Sequence, residues 1–308
     1  PASSSRSRSA GATVPADAPP SVDRSRGCRK SAGWRFLATL VGKLPLHAVL
    51  LGLLASGVLA ACRTPKRTPN PSFPVTHREA RVDLARMEGD PHPLERPLVV
   101  VSGIGDPSIS GNAILRAMGP AFAQSRPNLI VEVSFFHEHT FAGARQQLLR
   151  EVAAALAVSI DDLPPCDVVA FSMGGLVVRD AAIPDDAGRR LPVHRLFTIC
   201  TPHEGARLAG IPIGTPQSDD MRITSSFIAR LAAARRDYEL VCYARLDDIT
   251  VGEEFCAPMG CDLWWVPTPD GEWAHLQAFS DERILADIAR RLRGEGSLAR
   301  PPAQPLPL

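Results

Sequence analysis

From Pro97 onward the sequence alternates between short β-branched runs and longer stretches with helical spacing, and that alternation restricts the fold more than any other feature. The strand-like runs are Pro97 to Ser102 (PLVVVS), Leu129 to Ser134 (LIVEVS), Asp167 to Phe171 (DVVAF), His194 to Cys200 (HRLFTIC) and Glu239 to Ala244 (ELVCYA). Between and after them the pattern predicts helices over Asn112 to Gln124, Phe141 to Leu156, Met173 to Ala182, Met221 to Arg235, and about Asp281 to Leu292. In the last of these Ile284, Leu285, Ile288 and Leu292 recur at helical spacing. Near-continuous apolar strands need cover on both faces, which intervening helices supply in a parallel sheet. The expectation is an α/β fold: a doubly wound, mostly parallel sheet flanked by helices.

A chain of 308 residues, 45% hydrophobic and 22% charged, holds enough material for one large core. Thirty-four Lys and Arg against 33 Asp and Glu leave a net charge of +1, so no global field draws in nucleic acid. A glycine-rich phosphate loop, a basic helix and an internal repeat are all missing from the sequence, which leaves nucleotide and nucleic-acid functions without support. In an open α/β sheet ligands bind beyond the carboxyl ends of the strands. The loops after Ser102, Phe171, Cys200 and Ala244 are therefore where chemistry is expected.

After DVVAF the chain reads Ala170-Phe171-Ser172-Met173-Gly174-Gly175 and then LVVRDAA, a serine between a strand and a helix with small residues around it. This resembles the nucleophile elbow of α/β hydrolases, a G-x-S-x-G turn that lifts a serine oxygen above the sheet, with Ala170 in place of the first glycine. The run S-M-G-G-L-V-x-R is similar to that of bacterial lipases and esterases and of GPI inositol deacylases. An ordinary helix-capping serine is the plainer alternative. The resemblance implies an α/β-hydrolase fold with a small lid or none, covering Pro97 to about Leu292.

A serine hydroxyl needs a base, and the base an orienting acid, in the chain order serine, acid, histidine. The resemblance makes His275, in Trp273-Ala274-His275-Leu276, the base, against a solvent-facing loop histidine. For the acid, the loop Arg245-Leu246-Asp247-Asp248-Ile249-Thr250-Val251 fits the lipase spacing D-x-x-V at Asp248, with Asp247 as the alternative. The oxyanion donors implied are the amides of Met173 and of Ile104, the latter in Ser102-Gly103-Ile104-Gly105-Asp106, which resembles the H-G-x-G loop with Ser102 for the histidine. Thr201-Pro202-His203-Glu204-Gly205 resembles the families' T-P-H-x-G segment, in which the histidine is not the base; His203 is expected to shape the pocket wall.

The amino-terminal part speaks to location. Residues 1–61 combine a Ser-, Arg- and Pro-rich segment expected to be disordered, the cations Arg24, Arg26, Arg29, Lys30, Arg35 and Lys43, and an apolar run from Leu44 to Ala61. That order is a charged region followed by a hydrophobic one. Leu59-Ala60-Ala61-Cys62 resembles the lipobox of bacterial lipoproteins, which implies cleavage before Cys62 and lipidation of its thiol. A transmembrane anchor and an ordinary signal peptide are the alternatives, and all three imply export. Arg63 after the cysteine favours the periplasmic face of the outer membrane if the host is Gram-negative. Residues 62–95 read as an extended, Pro-rich charged linker, 96–295 as the catalytic domain and 296–308 as a disordered tail. Cys256 and Cys261 are close enough in sequence to bridge in an oxidising compartment, whereas Cys166, Cys200 and Cys242 read as small buried hydrophobes.

His137-Glu138-His139 lacks further ligands at recognisable spacing, and Trp264, Trp265 and Trp273 read as packing more than as an acyl pocket. The implied function is hydrolysis of a carboxylic ester, with no cofactor and no metal. The substrate is an ester or acyl lipid, and the partner a membrane reached through the lipid anchor. The same three residues also serve thioester or amide hydrolysis or acyl transfer, and a hydrolase scaffold can bind without catalysing.

Overall fold

The computed structural model describes residues 72–123, 129–210, 215–298 and 306–307. All the described residues belong to one compact unit. Cys62 and the cationic and apolar segments before it lie outside them. No helix of the described residues is long and apolar enough to cross a membrane.

Six strands form the main sheet: β1 (Leu98–Val101), β2 (Ile130–Val133), β3 (Cys166–Phe171), β4 (Val193–Ile199), β5 (Glu239–Arg245) and β6 (Leu263–Val266). They lie in the order β2-β1-β3-β4-β5-β6, and every pairing is parallel. The helices are α1 (His77–Gly89), α2 (Ile109–Met118), α3 (Phe141–Leu156), α4 (Met173–Ala181), α5 (Pro216–Asp220), α6 (Ser226–Ala233), α7 (Ala274–Gln277) and α8 (Glu282–Leu292), and a separate two-stranded parallel sheet pairs His92–Pro93 with Phe122–Ala123. The expected doubly wound sheet is present.

Strand alternation builds two cores. Leu98 and Val100 of β1 join Val169 and Phe171 of β3 on one face, beneath α1, α2 and α8. Val99, Val101, Val168 and Ala170 point to the other face, beneath α3, α4 and α6. Fully burying each such valine stabilises the fold by about 1.5–3 kcal/mol. Because the connection from β1 runs to β2 on one side while that from β3 runs to β4 on the other, the loops after β1 and β3 separate and leave a crevice between them.

Several expectations need correction. The stretch read as an extended linker contains α1, whose start is fixed by a capping box between Thr76 and Glu79 and whose Ala80, Leu84 and Met87 are buried. Charged residues on its other face, among them Arg81 and Arg86, pair with Glu282 and Glu295, so its high charge marks a solvated helix face instead of a tether. Helix α2 begins upstream of Asn112 because the Asp106 carboxylate accepts from the amides of Ile109 at 2.6 Å and Ser110 at 3.0 Å. It ends at Met118, before Gly119-Pro120. The helix expected from Met221 to Arg235 is shorter, α6 running only from Ser226 to Ala233, where Ser225 caps it through the Ile228 amide at 3.1 Å. Leu263-Trp264-Trp265-Val266, read as a loop with packing aromatics, is strand β6, with Trp264 and Trp265 buried. In the tail read as disordered, Leu298 and Leu306 pack against the core.

Candidate active site

Residue 172 stands where β3 gives way to α4, and its backbone has φ 54° and ψ −132°. Such a conformation costs about 1–3 kcal/mol for a residue with a side chain and persists only where neighbours hold it. Here the Ser172 amide donates to the Ile199 carbonyl at 2.9 Å, and Thr201 Oγ1 donates to the Ser172 carbonyl at 2.8 Å. The flanking glycines permit this closeness. A Cβ on Gly174 would stand 2.4 Å from the Ser102 carbonyl oxygen, and one on Gly175 would stand 2.3 Å from Thr201 Oγ1.

The turn carries the Ser172 hydroxyl to 2.9 Å from His275 Nε2. On the far side of the ring, Nδ1 donates to Asp248 Oδ2 at 2.8 Å. An ionised carboxylate only accepts, so this bond fixes the tautomer and leaves Nε2 to accept from serine. Asp248 is itself oriented: its Oδ1 accepts from the amides of Thr250 at 2.9 Å and Val251 at 3.0 Å. Val251 is buried, as the D-x-x-V spacing implies. Asp247 has φ 62°, is exposed, and takes no part in this series. Of the two candidate acids, Asp248 is the one beside the imidazole.

Burial works against charge on both partners, yet each charge supports the other. Burial pulls the His275 imidazole down, but the Asp248 anion and its hydrogen bond, with help from the Cys200 thiol, raise it to about 10. For Asp248, burial pushes upward, and the His275 charge, its hydrogen bond and the two loop amides more than offset this, holding the carboxyl below its ordinary range. Phe171 lies against the imidazole, ring centroids 5.1 Å apart.

Of the two amides expected to hold an oxyanion, that of Met173 directly follows the serine and that of Ile104 lies on a loop whose Gly103 closely approaches it. Met173 opens α4, so its N–H is among those a helix leaves without an intrahelical acceptor. Ile104 follows Gly103, where a Cβ would come 3.3 Å from Ser172 Cβ, and precedes Gly105 at φ 59°. Ser102 anchors this loop from below: its hydroxyl donates to Glu132 Oε1 at 2.9 Å and accepts from the Gly111 amide at 3.1 Å.

His203 is not in a pocket wall. It is 1% exposed and bridges α4 to β4. Arg179 Nη1 lies 3.0 Å from its Nδ1, and Thr198 Oγ1 lies 2.9 Å from its Nε2. Since arginine only donates, Nδ1 accepts and the ring is neutral. Burial and the Arg179 charge hold its pKa well below the ordinary histidine range.

Some supporting residues were not identified from sequence. Arg245, 1% exposed, donates to Glu272 and stands 3.3 Å from Asp281, while Arg283 donates to the Pro267 carbonyl at 2.9 Å. These bonds fasten the segment that delivers His275. The only sequence signal was a charged residue inside the otherwise apolar end of β5. Thr201 lies in the T-P-H-x-G segment, whose histidine is its more conspicuous residue. The connection from β4 to β5 carries α5 and α6, and Phe227 of α6 stacks on Phe141 of α3 with centroids 4.1 Å apart.

Among the described residues the five cysteines, Cys166, Cys200, Cys242, Cys256 and Cys261, are all thiols. Cys256 and Cys261 do not bridge: Cys256 is buried against Cys200 and donates to the Gly252 carbonyl at 3.5 Å, whereas Cys261 accepts from Arg236 Nη2 at 3.0 Å. Cys200 sits at the end of β4 with φ 48°, and its sulfur, a carboxylate oxygen of Asp248 and a ring nitrogen of His275 all lie within 4.8 Å of one another. Among the described residues these three are the group able to hold a metal ion.

No protein-family model matches the chain, and none of the curated proteins compared with it does. Solved structures do. Phospholipase PlaB from Legionella pneumophila aligns at 14% identity and TM-score 0.42 over 54% of this chain, which spans only 45% of that protein. The RedJ thioesterase of prodiginine biosynthesis in Streptomyces coelicolor aligns at 15% identity and TM-score 0.40, covering 73% of this chain and 96% of that one. A hyperthermophilic esterase from the archaeon Pyrobaculum calidifontis aligns at 13% identity and TM-score 0.42, covering 71% and 91%.

Proposed function

We propose that this protein is a serine hydrolase that cleaves carboxylic esters through an acyl-enzyme on Ser172. The observation that carries this reading is the unbroken series from Ser172 through His275 to Asp248, with contacts of 2.9 and 2.8 Å. His275 takes the hydroxyl proton as Ser172 Oγ attacks the ester carbonyl, the amides of Met173 and Ile104 receive the developing oxyanion, and Asp248 stabilises the imidazolium. The proton then passes to the leaving alkoxide. Water, activated by the same imidazole, releases the acid and restores serine.

An apolar acyl group is favoured by exposed apolar neighbours in the sequence: Ile109 shortly after the oxyanion loop, Ile249 after the acid and Leu276 after the base, 60%, 50% and 40% exposed. We also propose, from the order of cations, apolar run and Cys62, that the protein is exported and held at a membrane by a lipidated Cys62. That places acyl lipids near the site.

Rapid mixing with a p-nitrophenyl ester, followed by intact mass measurement, tests the chemistry. The expected result is a nitrophenol burst with one acyl group added, found on the peptide carrying Ser172 and missing from Ser172→Ala. Ester turnover that persists in Ser172→Ala would overturn the assignment.

A further inference from the structure

The hydrolytic proton path uses oxygen and nitrogen only, yet a sulfur stands beside it. Cys200 is fully buried, and its φ of 48° is one that a residue with a side chain seldom adopts. Its amide is tied to the Tyr243 carbonyl at 2.8 Å, which holds the chain end of β4 in that conformation. The result is a thiol brought up to the acid and the base, with donor atoms of Cys200, Asp248 and His275 mutually within 4.8 Å. We propose that Cys200, Asp248 and His275 form a binding site for a thiophilic divalent cation of the zinc class, and that occupation of this site switches the hydrolase off.

The donor set fits that class. Thiolate, imidazole and carboxylate are the three ligand types zinc takes from proteins, at bond lengths of roughly 2.0–2.3 Å. Donors on one tetrahedral ion at those bond lengths stand roughly 3.3–3.8 Å apart, so the cluster needs only small side-chain adjustments. A second sulfur is at hand in Cys256, which lies against Cys200. Hard cations such as magnesium and calcium prefer all-oxygen sets and are disfavoured here. By contrast His137, Glu138 and His139 lie on the loop after β2, with both histidines exposed.

Binding balances without electron transfer. The hydrated cation gives up waters, Cys200 releases its thiol proton to solvent, and a sulfur–metal bond forms. His275 binds through Nδ1, on the Asp248 side of the ring, as its proton shifts to Nε2, and Asp248 redirects a carboxylate oxygen from the imidazole to the metal. The imidazole so engaged cannot accept the Ser172 proton. The inhibitory consequence rests on the proposed hydrolase reading; the binding itself does not.

The test separates the two. Ser172→Ala keeps all three donors, so the reduced, chelator-treated variant is titrated with cobalt(II) as a spectroscopic stand-in for zinc. The expected result is one equivalent bound, with sulfur-to-cobalt charge-transfer absorption in the near ultraviolet that zinc displaces and that Cys200→Ser abolishes. In parallel, zinc inhibits ester hydrolysis by the unmutated protein and a chelator reverses it. Cys200→Ser hydrolyses ester in the chelated state and needs at least about tenfold more zinc for the same inhibition, the size of loss that follows removal of even an outer-shell partner. Absence of the charge-transfer band from Ser172→Ala with Cys200 intact overturns the proposal without reliance on any cysteine variant. Equal zinc sensitivity in Cys200→Ser overturns it as well. A band in a protein that hydrolyses no ester leaves the metal site standing and removes the hydrolase reading.

Discussion

At the scale of single residues, adjacent side chains with the same chemistry are separated by their surroundings. Asp248 is fully buried and receives two loop amides and the imidazole, whereas Asp247 faces solvent. Asp248→Asn is therefore expected to lower kcat by about 10⁴-fold, as loss of the orienting anion leaves the ring free to adopt the wrong tautomer. Asp247→Asn leaves kcat within about twofold, in line with its exposure; steady-state kinetics on both variants decides. The pH dependence follows from the same bond. A general base must be neutral, and the Asp248 anion keeps the imidazole protonated to higher pH than an ordinary histidine. The acidic limb of the kcat/KM profile, measured with metal chelated, should fall alkaline of 6.5 and move down in Asp248→Asn. The same pairing stabilises the fold fully between the ordinary carboxylate pKa of 3.8 and pH 6.5; the His275 share is lost as pH rises through about 10, and the Asp248 share as pH falls through its lowered value. Ser172 and His275 were legible in the sequence because their motifs are local and ordered along the chain. The Thr201 hydroxyl and the Arg245 cluster were not, because their partners are distant in sequence and only the folded chain brings them near.

At the scale of elements, long strongly periodic segments were read well: α3 runs from Phe141 to Leu156 as the pattern predicts. Errors fell where capping or burial overrode composition. Helix α1 carries so many charged residues that it resembles a tether, yet its buried stripe packs on α8, and Arg293 reaches back to the Asp90 carbonyl at 2.8 Å. Strand β6 was missed because its two tryptophans read equally well as aromatics packed beneath a loop. Met87, fully buried in α1, supplies the check. Met87→Ala should destabilise the protein by about 2–5 kcal/mol in denaturant melts while leaving KM unchanged, since α1 lies away from the loops that carry the site. A tether would show no change in stability.

At the scale of the whole molecule, the parallel sheet places the loops after β1, β3, β4 and β5 at one edge, and the proposed nucleophile, acid, base and oxyanion donors all gather there. The proposed anchor acts at this scale too. Cys62→Ser is expected to abolish metabolic incorporation of an alkynyl fatty acid in a bacterial host, with ester hydrolysis by the purified protein unchanged. Fatty-acid labelling that persists in Cys62→Ser contradicts lipidation at that thiol. The central claim is that Ser172, His275 and Asp248 act as one unit. Fluorophosphonate labelling with intact mass readout measures this most directly, on the unmutated protein beside Ser172→Ala, His275→Ala and Asp248→Asn. The account predicts a single adduct on Ser172, none in Ser172→Ala, and strongly slowed labelling in the other two. A folded protein that takes up no label, or one labelled equally well without His275, would contradict it.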